Sequence, residues 1–149
     1  MISAVITGGV FSYLRFFRGR TLAAKADAEL KVSVHDTDCD FYLHSVSLYL
    51  KNLGSVSIWD PKPVVQLITH GPDGSNEKRV ISSWYNPENI LNRDGNVVVD
   101  IQETVMFSSI EKIPKNIWAV TYLACVESKC KDDWSTCTTV SNSLNQIEG

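Results

Sequence analysis

The chain holds no run of eighteen apolar residues, no Cys-x-x-Cys pair, no Asn-x-Ser/Thr acceptor, no internal repeat, and only five prolines and eight glycines in 149 residues. Each absence removes a class of protein. About twenty consecutive apolar residues are needed to cross a bilayer as a helix, so none of its segments comfortably spans one. Structural zinc sites use ligands two to four residues apart, whereas Cys39, Cys125, Cys130 and Cys137 are separated by 85, 4 and 6 residues. The low glycine and proline content excludes collagen-like and low-complexity chains. Also missing are the Gly-x-Ser-x-Gly elbow, His-Glu-x-x-His, the phosphate-cradling Gly-x-x-x-x-Gly-Lys and the dinucleotide fingerprint. The expectation is therefore a non-enzymatic chain with no cofactor and no metal.

What is present is an ordinary globular balance, 44% hydrophobic and 21% charged residues, in a chain long enough to bury about two-thirds of its unfolded surface as one domain. The net charge of −3 hides an asymmetry. Residues 1 to 25 carry +4, from Arg15, Arg18, Arg20 and Lys25, and the remainder carries 10 basic against 17 acidic residues. A body of charge −7 argues against a nucleic-acid surface, so an anionic partner would meet the N-terminus.

In that N-terminus, Ile2 to Leu14 contains no charge, and Ile2, Val5, Ile6, Val10, Tyr13, Leu14 and Phe17 recur at helical spacing. Thirteen residues of helix give about 20 Å, short of the ~30 Å hydrocarbon core. The positive charges follow the apolar run instead of preceding it, which is the reverse of a cleaved secretory signal. Phe11, Tyr13, Phe16 and Phe17 beside Arg15, Arg18 and Arg20 form the aromatic belt and basic flank of an interfacial segment. Packing of this segment on its own domain, and a disordered leader, are the alternatives. If it inserts, the positive-inside rule leaves the main domain in the cytoplasm. Residues 21–28 are helix-favouring and continue or cap the leader, giving an N-terminal unit over 1–25 and a β domain over 26–149.

From Leu30 onward the period changes to two. Leu30, Val32 and Val34 alternate with polar residues, as do Val46, Leu48 and Leu50, then Val97, Val99 and Ile101, and Trp118 through Val126. Val64–Thr69, Lys78–Trp84 and Trp134–Val140 are further β-rich runs. Turn chemistry separates them at Asn52-Leu53-Gly54, Gly71-Pro72-Asp73-Gly74 and Arg93-Asp94-Gly95-Asn96. Residues 86–91 and Ser108–Lys115 each read as a single helical turn. No helix of crossover length follows a strand, so seven or eight strands predict an all-β antiparallel two-sheet sandwich behind a short N-terminal helix.

Val46-Ser47-Leu48-Tyr49-Leu50-Lys51-Asn52-Leu53-Gly54 resembles the strand-then-Asn-x-Gly signature of immunoglobulin-like, adhesion-related bacterial sandwich modules. The order of apolar leader, Phe16-Phe17-Arg18-Gly19-Arg20-Thr21 and β domain is similar to bacterial membrane-anchored sandwich proteins of unknown function. These resemblances imply an immunoglobulin-like sandwich and a scaffold or interaction role, and they bring no catalytic residues with them.

Among single residues, a hairpin of Trp118–Val126 and Trp134–Val140 puts Cys125 and Cys137 on one face as diagonal neighbours, where a disulfide is conceivable; the lack of a secretory signal favours reduced thiols. His35-Asp36-Thr37-Asp38-Cys39-Asp40 starts like a calcium loop, but Phe41 and Ser47 stand where an EF-hand needs Gly and Glu. His35, His44 and His70 do not cluster, and a His44–Cys137 dyad has no support in the spacing. Trp118 reads as core, whereas Trp59, Trp84 and Tyr85 sit at strand ends as a candidate partner surface.

The sequence thus predicts an interaction or scaffold module. It is held at a membrane surface or in a membrane complex through residues 1–20, by Val5, Ile6, Val10, Phe11, Tyr13, Leu14, Arg15, Phe16, Phe17, Arg18 and Arg20. The alternative is a soluble structural or assembly subunit, such as a virion or filament component, whose leader packs on a neighbouring copy in a homo-oligomer.

Overall fold

A computed structural model describes residues 24–81, 84 and 97–144, and the helix expected in the leader lies outside these. Among the described residues every regular element is a β-strand: β1 (Ala26–His35), β2 (Phe41–Asn52), β3 (Ile58–Trp59), β4 (Lys62–His70), β5 (Asn76–Ile81), β6 (Val98–Val99), β7 (Thr104–Pro114), β8 (Ala119–Glu127) and β9 (Asp133–Ser141). All pairings are antiparallel. One sheet has the order β1-β2-β7, a second β5-β4-β8-β9, and β3 and β6 form a two-residue ribbon.

The period-two pattern does what one buried face requires. On β2, His44, Val46, Leu48, Leu50 and Asn52 are fully buried; on β8, Val120, Tyr122, Ala124 and Val126 are buried while Leu123 and Glu127 face solvent. One continuous core takes Val46, Leu48, Leu50, Val105 and Phe107 from the first sheet, Val65, Leu67, Val120 and Tyr122 from the second, and Ile58 and Val99 from the ribbon. β1 runs alongside β9, and Arg79 of β5 reaches Glu111 of β7 at 2.9 Å, so the two sheets meet along both margins. In the β4–β5 connection Gly74 has φ of 78°, a conformation that glycine enters without Cβ strain.

Three sequence expectations need correction. Ser108–Lys115 is not a helical turn but most of β7, whose inward positions Val105, Phe107, Ser109, Glu111 and Ile113 keep the two-residue period while two of the five are polar. Residues 26–28 belong to β1, because pairing Ala26 with Asn52 and Ala28 with Leu50 outweighs the helix preference of alanine. Ile101 leaves the alternation of Val97 and Val99, since a turn follows β6 and exposes its side chain.

Among the described residues a continuous core assembles from Ala26 onward. Deleting residues 1–20 is therefore expected to leave a cooperatively melting β domain by circular dichroism. A non-cooperative melt would place the leader inside the core.

Candidate functional site

The side chains of chemical interest converge inside the molecule. His44 of β2, fully buried, meets Tyr122 of β8 across the core, with Nδ1 and the phenolic oxygen 2.7 Å apart. Its Nε2 lies 2.7 Å from Oδ1 of Asn142, just after β9. The directions follow from Asn142, whose Nδ2 donates to the carbonyls of Pro114 and Ile117 at 2.9 and 2.8 Å, leaving Oδ1 as the acceptor. Nε2–H then donates to Asn142, and Nδ1 accepts the Tyr122 hydroxyl proton. Burial lowers the His44 pKa and the Asn142 hydrogen bond opposes this only in part, so the ring is neutral. Tyr122 is shifted upward by burial first and by Glu111 second, and holds its proton.

Glu111 stands opposite His44 in the β2–β7 register and accepts a hydrogen bond from Ser109 at 3.1 Å. Arg79, half exposed, closes this margin through Glu111 and the Lys112 carbonyl at 3.3 Å. His, Tyr, Asn, Glu, Ser and Arg would be a catalytic vocabulary in a cleft. Here the polar atoms of His44, Tyr122 and Asn142 are spent on one another and on backbone carbonyls. The arrangement pins the two sheets together at one end of the core.

A second buried polar residue closes the other end. Asn52, fully buried at the end of β2, donates through Nδ2 to the carbonyls of Val56 and Val99 at 2.8 and 2.9 Å and accepts from the Gly54 amide at 2.9 Å. Its backbone N–H reaches Glu103 and its carbonyl takes the Gln102 amide. The Asn-x-Gly turn is thus the clamp that fastens the β3–β6 ribbon to β2.

No family model and no curated protein matches this chain. Solved structures do. A crystal structure described as the ApaA protein of Bordetella pertussis matches 83% of this chain and 96% of its own at a TM-score of 0.53 and 8% identity. An X-ray structure of a structural genomics target matches 82% and 88% at 0.52 and 9%. At such identities the likeness is one of fold alone.

The residues singled out from the sequence are dispersed. Trp59 is 52% exposed on the ribbon; Trp84 is partly buried against the core, and Tyr85 lies outside the described residues. Trp118 is 65% exposed, a correction to its assignment as core: β8 begins one residue later, at Ala119, so the alternation overruns the strand. His44 and Cys137 form no dyad, because His44 faces the core and Cys137 is exposed on the second sheet. Cys125 stands opposite Ser135, and Cys137 opposite Leu123. All four thiols are free, and a diagonal pair, its backbones about 7–8 Å apart, sits beyond ordinary disulfide reach. The aspartate loop before β2 is held by Lys115, whose Nζ lies 2.8 Å from Asp36 and lowers its pKa, chiefly by that hydrogen bond. No group of three or more metal-ligating side chains forms among the described residues.

What sequence reading missed is the His44–Tyr122–Asn142 pin. A signal for it existed: His44 and Asn52 occupy the same phase of β2 as Val46, Leu48 and Leu50, so two polar residues lay on the face that had to be buried.

Proposed function

We propose that this chain is an immunoglobulin-like β-sandwich acting as a non-catalytic interaction module, held at an anionic membrane surface through residues 1–20. The observation that carries the reading is the division of labour between interior and exterior. The buried polar atoms of His44, Tyr122 and Asn142 are consumed in holding the sheets together, while Trp59, Val64, Ile110 and Trp118 leave large apolar side chains at 52–69% exposure. Apolar side chains left in water at both ends and on the faces of a small domain favour contact with a partner over chemistry. The leader adds an apolar stretch and the cluster Arg15, Arg18 and Arg20 on a body that is otherwise acidic.

Reversing Arg15, Arg18 and Arg20 to glutamate tests this directly. Each basic residue near an anionic surface contributes about 1 kcal/mol, so the triple variant is expected to bind phosphatidylserine vesicles at least 100-fold more weakly in low salt. Sedimentation at low and high salt reads the difference. Binding equal to that of the unaltered chain, or no binding by either, would sink the membrane reading and leave assembly with a neighbouring copy as the surviving role.

A further inference from the structure

On the outer face of the β5-β4-β8-β9 sheet lies an open groove of about 550 Å³, lined by Val64, Gln66, Leu123, Cys125, Ser135 and Cys137 among others. Val64 and Leu123 remain 53% and 38% exposed in it, on a face that a solvated antiparallel sheet normally makes polar. The register sets Val64, Cys125 and Ser135 in one row across three strands, two residues from the row of Lys62, Glu127 and Asp133 that ends the sheet.

The path of the chain indicates what covers it. β1 begins at Ala26, opposite Asn52. Asn52 grips the ribbon, and the ribbon's Trp59 carbonyl takes the Lys129 amide just beyond β8, so β1 starts at the same end of the molecule as that last row. β1 also flanks β9, the edge strand bordering the groove. The first 23 residues therefore join the body beside the groove. Nine residues, 15 to 23, separate the apolar stretch from Ala24, and extended they reach about 30 Å. Crossing β9 to the groove takes only one or two strand spacings of about 4.8 Å. Arg15, Arg18 and Arg20 fall in that connector, and Asp132 and Asp133 are exposed at this end with no ion pair among the described residues.

We propose that residues 2–14 dock in cis on this groove, covering Val64 and Leu123 and shielding the thiols of Cys125 and Cys137. The apolar stretch then has a seat on its own domain whenever no other surface takes it up.

The two thiols report on the docking. Iodoacetamide labelling of the full chain, resolved peptide by peptide by mass spectrometry, compares Cys125 and Cys137 with Cys39, exposed in the β1–β2 loop at the opposite end. Relative to Cys39, both are expected to react at least ten-fold more slowly in the unaltered chain than in the V5D/V10D/L14D variant. Should that variant fail to melt cooperatively, Leu123→Glu, a change on the solvent face, is expected to raise the Cys125 rate similarly. Equal rates in unaltered and variant chains overturn the proposal. Protection that fades on dilution also overturns it, by assigning the seat to a second copy's segment. The assay contains no lipid, so its failure and the failure of the membrane reading are separate events.

Discussion

Replacing His44 by alanine is expected to destabilise the fold by about 4 kcal/mol, read as a fall in the urea midpoint at nearly constant m-value. The imidazole leaves a cavity in a fully buried position, and it strands two polar groups, the Tyr122 hydroxyl and Asn142 Oδ1. Each orphaned group costs about 1–3 kcal/mol, so the total is a large part of the 5–15 kcal/mol that holds an ordinary domain together. Tyr122→Phe alone leaves Nδ1 unpaired and should cost less, about 1–3 kcal/mol. Adding Tyr122→Phe to His44→Ala should then cost little more, because the hydroxyl it removes has already lost its partner. Strict additivity of the two would count against the pin.

The same residue gives the molecule a direction of response to acid. The folded protein keeps His44 neutral, with its pKa lowered from 6.5, whereas the unfolded chain takes up a proton as the pH falls through about 6.5. The unfolded state then binds more protons than the folded one. Stability falls with decreasing pH from about 6.5 down to the folded pKa, by up to about 1.4 kcal/mol per unit, and the contribution is flat above pH 7. His44→Gln removes this slope and leaves His35 and His70 unchanged, so the difference between the two pH profiles isolates it.

How far the sequence revealed this molecule depended on how plainly each strand separates an inner from an outer face. β1, β2, β8 and β9 each bury one face, and their alternation was legible. In β7 the buried row includes Ser109 and Glu111 while the outward row includes Met106 and Ile110, so hydrophobicity no longer marks the phase; Glu111 is tolerated inward because Arg79 meets it from the other sheet. β3 and β6 span two residues each and exist because Asn52 holds them, a tertiary cause that no local pattern carries. The pin was hidden for a related reason. Tyr122 and Asn142 lie 78 and 98 residues beyond His44 along the chain, and only the packing of one sheet against the other brings them within hydrogen-bond distance of it. The groove was partly legible: the hairpin register that puts Cys125 and Cys137 on one face follows from alternation alone, while Val64 joins them through the pairing of β4 with β8.

The opposite end of the core makes the second large prediction. Asn52→Asp is expected to destabilise the protein at pH 7 by at least as much as Asn52→Ala, about 3–5 kcal/mol, although aspartate is nearly the same size and alanine leaves a hole. The amide donates two hydrogen bonds to the carbonyls of Val56 and Val99, and a carboxylate in its place would present lone pairs to both while buried. Burial with the Gly54 amide as its one donor, against two carbonyls, raises the folded pKa of the introduced carboxyl above the unfolded ~3.9, so the unfolded chain ionises first as the pH rises. The variant's deficit should therefore shrink as the pH falls through the folded pKa, where the protonated acid can donate to one carbonyl again, and Asn52→Ala should show no such recovery. Because the clamp holds the β3–β6 ribbon, hydrogen exchange should rise first at the Asp60 amide, which bonds to Val97 beside that ribbon, and least at the β4–β8 amides. Uniform loss of protection across both sheets, or an Asn52→Asp variant as stable as the parent, would show that the turn is closed by its backbone alone and that the buried amide is incidental to it.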